Sequence, residues 1–198
     1  MQKYNNPVKT CSVQVSETDI AWYAMSATYR SELKIHSDLQ SRGVECYLPL
    51  QTVEKEHRGK KIKVRVPLVS NLIFLHSSRQ VIRQLKLSIP HLQYKILRET
   101  GCLPRPITVP DRDMLNFIKA TGGFDGVQVS VLRDGTLSAA AIPAGTRVRV
   151  TGGPMDGLEG TLVKTTGRKN HSLVVTLDKL CSIQLVIPRS LVELLPAL

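Results

Sequence analysis

Gly145-Thr146-Arg147-Val148-Arg149-Val150-Thr151-Gly152-Gly153-Pro154-Met155-Asp156-Gly157-Leu158-Glu159-Gly160 is the stretch on which the fold turns. Val148 and Val150 alternate with arginines, as the inner positions of a strand do. The glycines that follow supply the backbone freedom of a tight turn, and a second strand resumes at Gly160-Thr161-Leu162-Val163. Gly152-Gly153-Pro154 leads into a strand rather than a helix and has no Lys-Ser/Thr after it, which excludes a phosphate-binding loop. Further short β-type runs, Leu173–Leu177, Ile183–Ile187 and Val192–Leu194, follow at close spacing. This pattern predicts a small β-barrel over residues 144–198.

Upstream of it, the composition shifts at Thr121-Gly122-Gly123, and Ser138–Ala144 is small and weakly polar. Residues 122–143 read as a linker with room for a short hairpin, from the alternation of Val127–Val131 and a turn at Asp134-Gly135. Before the linker, strands and helices alternate. The runs Ile20–Met25, Val44–Leu50, Leu72–Leu75 and Leu92–Leu97 suit strands. Tyr29–Arg42 carries Tyr29, Leu33, Ile35, His36 and Leu39 on one arc and predicts an amphipathic helix closed by Gly43. Val81–Leu85 predicts a short helix, and another follows Pro110 with Asp111 as cap and Met114, Leu115 and Ile118 as its apolar side. The expectation is a polar tail over 1–19, a compact domain over 20–121, the linker and the barrel.

The chain has 198 residues, 27 Lys+Arg against 16 Asp+Glu, and a formal net charge of +11. With 42% hydrophobic and 22% charged residues this charge sits on a folded protein, and it asks for a polyanionic partner. Much of it falls on Lys55, Arg58, Lys60, Lys61, Lys63 and Arg65, around a hairpin turn at Gly59. There Ile62, Val64 and Val66 alternate with Lys61, Lys63 and Arg65, which predicts a strand with one basic face, either a solvated edge whose lysines block aggregation or a surface for nucleic-acid phosphates. No stacking aromatics are interleaved, so backbone contact is better supported than base readout.

Catalytic and metal chemistry finds no footing. Cys11, Cys46, Cys102 and Cys181 form no CxxC cluster and read as free thiols, and the five histidines have no ligand spacing. Asp111 and Asp113 point apart at a helix start, and no nucleotide, hydrolase or zincin motif occurs. No enzyme, no cofactor and no metal are expected. Without a leader-like apolar core or ~18 consecutive apolar residues, a soluble cytoplasmic protein, away from membranes and monomeric, is expected.

In full, Val148, Val150, Gly153, Pro154, Gly157 and Gly160 resemble the KOW motif. Trp22-Tyr23-Ala24-Met25, the helix with Arg30, Glu32 and Lys34, Leu48-Pro49 and Arg65–Leu75 resemble the N-terminal (NGN) domain of the NusG family, in the family's domain order. The details look most like specialised paralogues of the RfaH and UpxY kind. The resemblance implies an α+β two-domain protein: an α/β sandwich with an antiparallel-rich sheet flanked by helices, then an SH3-like KOW β-barrel. It implies a transcription elongation and antitermination factor, specific to an operon such as a capsular polysaccharide locus, that grips the clamp helices of the largest RNA polymerase subunit. The positions implied for that grip are Trp22, Tyr23, Leu68, Val69 and Leu72, with one of the Trp22–Tyr23 pair in the core and the other facing the partner. Where NusG carries aromatics and a Pro-Gly pair, this chain has Leu68-Val69-Ser70-Asn71-Leu72. The basic hairpin would meet upstream or non-template DNA, and the KOW domain would recruit Rho or a small-subunit ribosomal protein. The alternative is a KOW-containing RNA- or ribosome-binding protein.

Overall fold

The computed structural model describes residues 16–122, 129–132, 146–163 and 171–195. Of the tail expected over 1–19, residues 1–15 lie outside the described residues, as does the turn at Asp134-Gly135. In chain order the elements are β1 (Ile20–Ala27), α1 (Glu32–Ser41), β2 (Cys46–Tyr47), β3 (Leu50–His57), β4 (Lys60–Pro67), β5 (Ile73–Ser78), α2 (Arg79–Ser88) and β6 (Leu92–Tyr94). They continue with β7 (Ile96–Leu97), β8 (Arg105–Pro106), β9 (Thr108–Val109), α3 (Asp111–Thr121), β10 (Val129–Leu132), β11 (Arg147–Val150), β12 (Glu159–Val163), β13 (His171–Leu177), β14 (Cys181–Ile187) and β15 (Val192–Leu194). Two compact units form, and they do not follow chain order. Among the described residues one contains those up to Cys46 and Asn71–Val109, the other Tyr47–Ser70 and those from Pro110 onward. The change of domain expected near residue 121 falls inside the second unit.

In the first unit β1 is central, antiparallel to β5 on one side and to β6 and β9 on the other. Trp22 to Met25 are all buried. A strand covered on both faces reads as a continuous apolar run rather than an alternation, which is why this segment is legible. Helix α1 begins three residues later than expected because Tyr29 and Arg30 take left-handed φ values of 59° and 54°, a conformation no helix accommodates. Ile35 and Leu39 face the core, while Tyr29 and Leu33 are 85% and 47% exposed. Glu32, by contrast, is buried, and its carboxylate accepts the Asn71 N–H at 2.8 Å. Ser78 caps α2 by accepting the Val81 N–H.

In the second unit β3 and β4 form a two-stranded sheet of their own, turned by Arg58 and Gly59 at φ 52° and 75°. Two successive left-handed residues suit a two-residue hairpin turn that matches strand twist. Helix α3 starts at Asp111, with Pro110 preceding it, so Asp111 lies in the first turn and is not the cap. Its covered side is Met114, Phe117 and Ala120, whereas Leu115 is 64% exposed; the apolar stripe is rotated from the one expected. The C-terminal strands make a six-stranded antiparallel sheet in the order β10-β14-β13-β12-β11-β15. Val129–Leu132, expected within the linker, is its edge strand, paired to β14. Strict alternation of burial along β14 marks one covered face.

Candidate nucleic-acid and protein interfaces

The residues implied for a partner helix divide between the units, Trp22, Tyr23 and Leu72 in the first and Leu68 and Val69 in the second. Trp22 and Tyr23 are 5% and 1% exposed, so the expected split between a core face and an outward face does not hold. Leu72 is 1% and Leu68 8% exposed, and Val69 is half-buried. The Trp22 ring stacks on its cross-strand neighbour His76, centroids 4.7 Å apart, and His76 Nδ1 lies 2.6 Å from Glu45 Oε2. The Tyr23 ring tilts against Tyr94, and its buried hydroxyl has no hydrogen-bond partner among the described residues. Burial pushes the Tyr23 phenol above its ordinary value. An orphaned buried hydroxyl costs about 1–3 kcal/mol.

The ribbon of β3 and β4 has eight residues in each strand and extends about 25 Å. Lys55, Arg58, Lys60, Lys61, Lys63 and Arg65 are all exposed on it, as the sequence predicts. The register sorts them onto two faces. Thr52, Glu54 and Glu56 stand opposite Arg65, Lys63 and Lys61 on one; Val53, Lys55 and His57 stand opposite Val64, Ile62 and Lys60 on the other. The basic face read from β4 alone therefore carries two glutamates from β3.

The glycine-rich turn between β11 and β12 is built from the motif residues. Val148 and Val150 are buried, and so are Met155 and Leu158, which the motif did not single out. Gly157 has φ 76° and donates its N–H to Val150 O at 2.7 Å, while Asp156 Oδ1 accepts the Gly152 N–H at 2.6 Å. Gly160 is required for a different reason: a Cβ there would lie 2.6 Å from Val174 O and 2.8 Å from Leu173 Cδ1. The motif thus acts as architecture, forming the turn and letting β12 approach β13.

That turn also holds a polar cluster that sequence reasoning missed. Arg112 Nη2 donates to Glu159 Oε2 at 2.6 Å, Arg149 Nη2 to Oε1 at 2.7 Å, and Arg147 Nη2 approaches Oε2 at 3.5 Å. Asn116 and the Glu159 backbone exchange two hydrogen bonds, of 2.6 and 2.9 Å, and Lys119 Nζ donates to Asp156 O at 2.7 Å. Arg112, Asn116 and Lys119 recur at helical spacing and share one face of α3. The Arg149 guanidinium, ahead of that of Arg112, holds the Glu159 carboxyl below the usual carboxylate range. The only available signal was the 112, 116, 119 stripe; its partner lies some forty residues downstream.

Burial, with Glu45 beside it, pushes the Cys46 thiol up to about 11, which leaves it a poor nucleophile at neutral pH. Cys102 is disulfide-bonded, which corrects the expectation of a free thiol at that position. Asp111 and Asp113 are exposed on the first turn of α3. Among the described residues no group of three or more His, Cys, Asp or Glu could hold a metal ion, and no helix is long and apolar enough to cross a membrane.

A family model described as transcription termination factor nusG matches residues 20–118. No curated protein matches the chain. Among solved structures, one titled "Domain interaction in Thermotoga maritima NusG" is similar at 17% identity, covering 88% of this chain and 97% of that one, with a TM-score of 0.45. The crystal structure of an MjSpt4:Spt5 complex is similar at 11% identity, over 89% of this chain and 97% of that one, with a TM-score of 0.26. The matched stretch runs from the first residue of β1 through most of α3, takes in the ribbon and covers half of the sequence, and on that ground the chain belongs to the NusG family of transcription factors.

Proposed function

We propose that this protein is a non-enzymatic transcription elongation factor that binds the clamp helices of RNA polymerase, lays its basic ribbon on upstream or non-template DNA, and suppresses pausing and termination. The observation that carries the reading is family membership over 20–118, the stretch that contains both the β1 strand and the ribbon. The specialised action on one operon, of the RfaH and UpxY kind, belongs to the same proposal. So do a cytoplasmic monomer and a C-terminal KOW barrel that recruits Rho or a small-subunit ribosomal protein. Trp22, Tyr23, Leu68, Val69 and Leu72 are the polymerase-contact residues in this reading. Because four of them are buried, half-buried Val69 is the position to perturb; Val69→Glu places a charge there without emptying the core.

The test is size-exclusion binding to core RNA polymerase together with in vitro transcription on pausing and terminator templates, one bearing the leader of the protein's own operon. Complex formation that weakens at least tenfold with Val69→Glu, and read-through confined to the own leader, are expected. Increased termination would reverse the sign of the proposed effect and make the protein a termination factor. No complex and no effect on transcription would sink the reading and leave RNA or ribosome binding as its replacement.

A further inference from the structure

We infer that the ribbon contacts nucleic-acid phosphates through one face and its tip, by Lys55, Arg58 and Lys60, and that Lys61 and Lys63 take little part. This rests on the DNA-binding reading above and goes beyond it in assigning the contact to particular residues. The reason is the cross-strand register. Lys61 lies opposite Glu56 and Lys63 opposite Glu54. Directly opposed side chains on one face have Cβ atoms about 5 Å apart. That is well inside the ~8–10 Å Debye length at physiological salt, so a phosphate meeting this face senses each Lys–Glu pair nearly as a dipole. Among the described residues no ion pair joins Lys61 to Glu56 or Lys63 to Glu54, and none is needed for this cancellation, which depends on separation alone.

The opposite face carries no acidic side chain. Lys55 and Lys60 sit diagonally across the two strands there, with His57 opposite Lys60. Arg58 adds a cation at the turn, and the glycine after it leaves the tip without a bulky shoulder. Beneath them Val53, Ile62 and Val64 form a short apolar strip, with Ile62 42% exposed. A phosphate backbone running past the tip meets three cations that no carboxylate opposes across the ribbon. The occupant is committed by charge: a row of like-signed groups at one end of a thin two-stranded sheet complements a polyanion rather than an apolar helix.

The experiment measures the salt dependence of binding of the full-length protein to a short fluorescein-labelled DNA duplex. Each phosphate contact contributes a slope of about 0.9 in log K against log salt. The variant Lys55→Gln/Arg58→Gln/Lys60→Gln is expected to flatten the slope by approximately two to three units. Lys61→Gln/Lys63→Gln should change it by no more than about a third of that. Glu54→Gln/Glu56→Gln should steepen it, as Lys63 and Lys61 become available to the DNA. Equal flattening by the two lysine variants, with no gain from the glutamate variant, overturns the assignment while leaving DNA binding in place. A slope that no variant alters overturns the DNA reading itself. Circular dichroism of each variant confirms that the chain remains folded.

Discussion

The β3–β4 ribbon and the β11–β12 turn are both rich in cations, and they use them in opposite ways. On the ribbon six Lys and Arg side chains stand in solvent, with glutamates on one face only. At the turn three arginines from α3 and β11 converge on one carboxylate that is only 18% exposed. The difference is geometric. Among the described residues no third strand joins β3 and β4, whereas α3 and β11 both bring arginines to Glu159 on β12. The local density of arginine therefore says little about availability to nucleic acid. What decides is whether a carboxylate lies within a Debye length on the same face.

The largest effect tests the backbone on which the turn depends. Gly160→Ala is expected to lower stability by about 2–3 kcal/mol, because a methyl group would press on a backbone carbonyl that cannot rotate away. Denaturant unfolding measures it, and a loss below ~0.5 kcal/mol would show that β12 and β13 can separate without cost. A comparable glycine change on the ribbon meets open space: nothing lies within 4 Å of a Cβ at Gly59, and the cost there is confined to its positive φ.

The next effect compares the two charge arrangements directly. Glu159→Gln should cost about 1–2 kcal/mol, since several cations and the α3 contact lose their acceptor charge. Glu56→Gln on the ribbon should stay within ~0.5 kcal/mol. The depressed Glu159 carboxyl also sets a pH dependence. Its folded-state value lies below the unfolded one, roughly 4.3, so its stabilisation is complete above that value and disappears as pH falls through the folded value. The stability gap between wild type and Glu159→Gln should therefore hold at neutral pH and close in acid. A gap that persists at pH near 2 would mean that shape, not charge, holds the turn.

The smallest effect concerns the buried pair on β1. Tyr23→Phe removes a hydroxyl with no partner among the described residues and should raise stability by up to about 1 kcal/mol. If Tyr23 serves polymerase binding, the same variant loses affinity while gaining stability. Unchanged affinity would confine Tyr23 to the core, and the contrast between charged surface and apolar contact would then lie elsewhere on the protein.

Much of the architecture was legible because it depends on local rules. The run Trp22–Met25 announced a strand buried on both sides, Gly43 and Gly59 announced a helix end and a hairpin tip, and the strands flanking Gly152–Gly160 were read within a residue of their bounds. The start of α1 was not legible, since nothing local shows that Tyr29 and Arg30 will take left-handed φ. The apolar side of α3 was misread because Leu115 and Phe117 are equally apolar, and only packing selects Phe117. The alternation of Val127–Val131 pointed to a strand inside the linker, but not to its place at the edge of the C-terminal sheet, because its partners on β14 lie 50 to 56 residues away.

By itself the amino-acid sequence determined the main strands and helices, the glycine turns, the basic ribbon and the family, but not β8 and β9 or the division of Leu92–Leu97 into β6 and β7. Each follows from backbone preference, hydrophobic period or a contiguous motif. Only the tertiary structure decided which cations remain available. Register across β3 and β4 sets Glu54 and Glu56 against Lys63 and Lys61, and the placing of α3 brings Arg112 to Glu159. Electrostatic interaction depends on distance through space, and residues 47 positions apart in the chain can stand 2.6 Å apart in the fold.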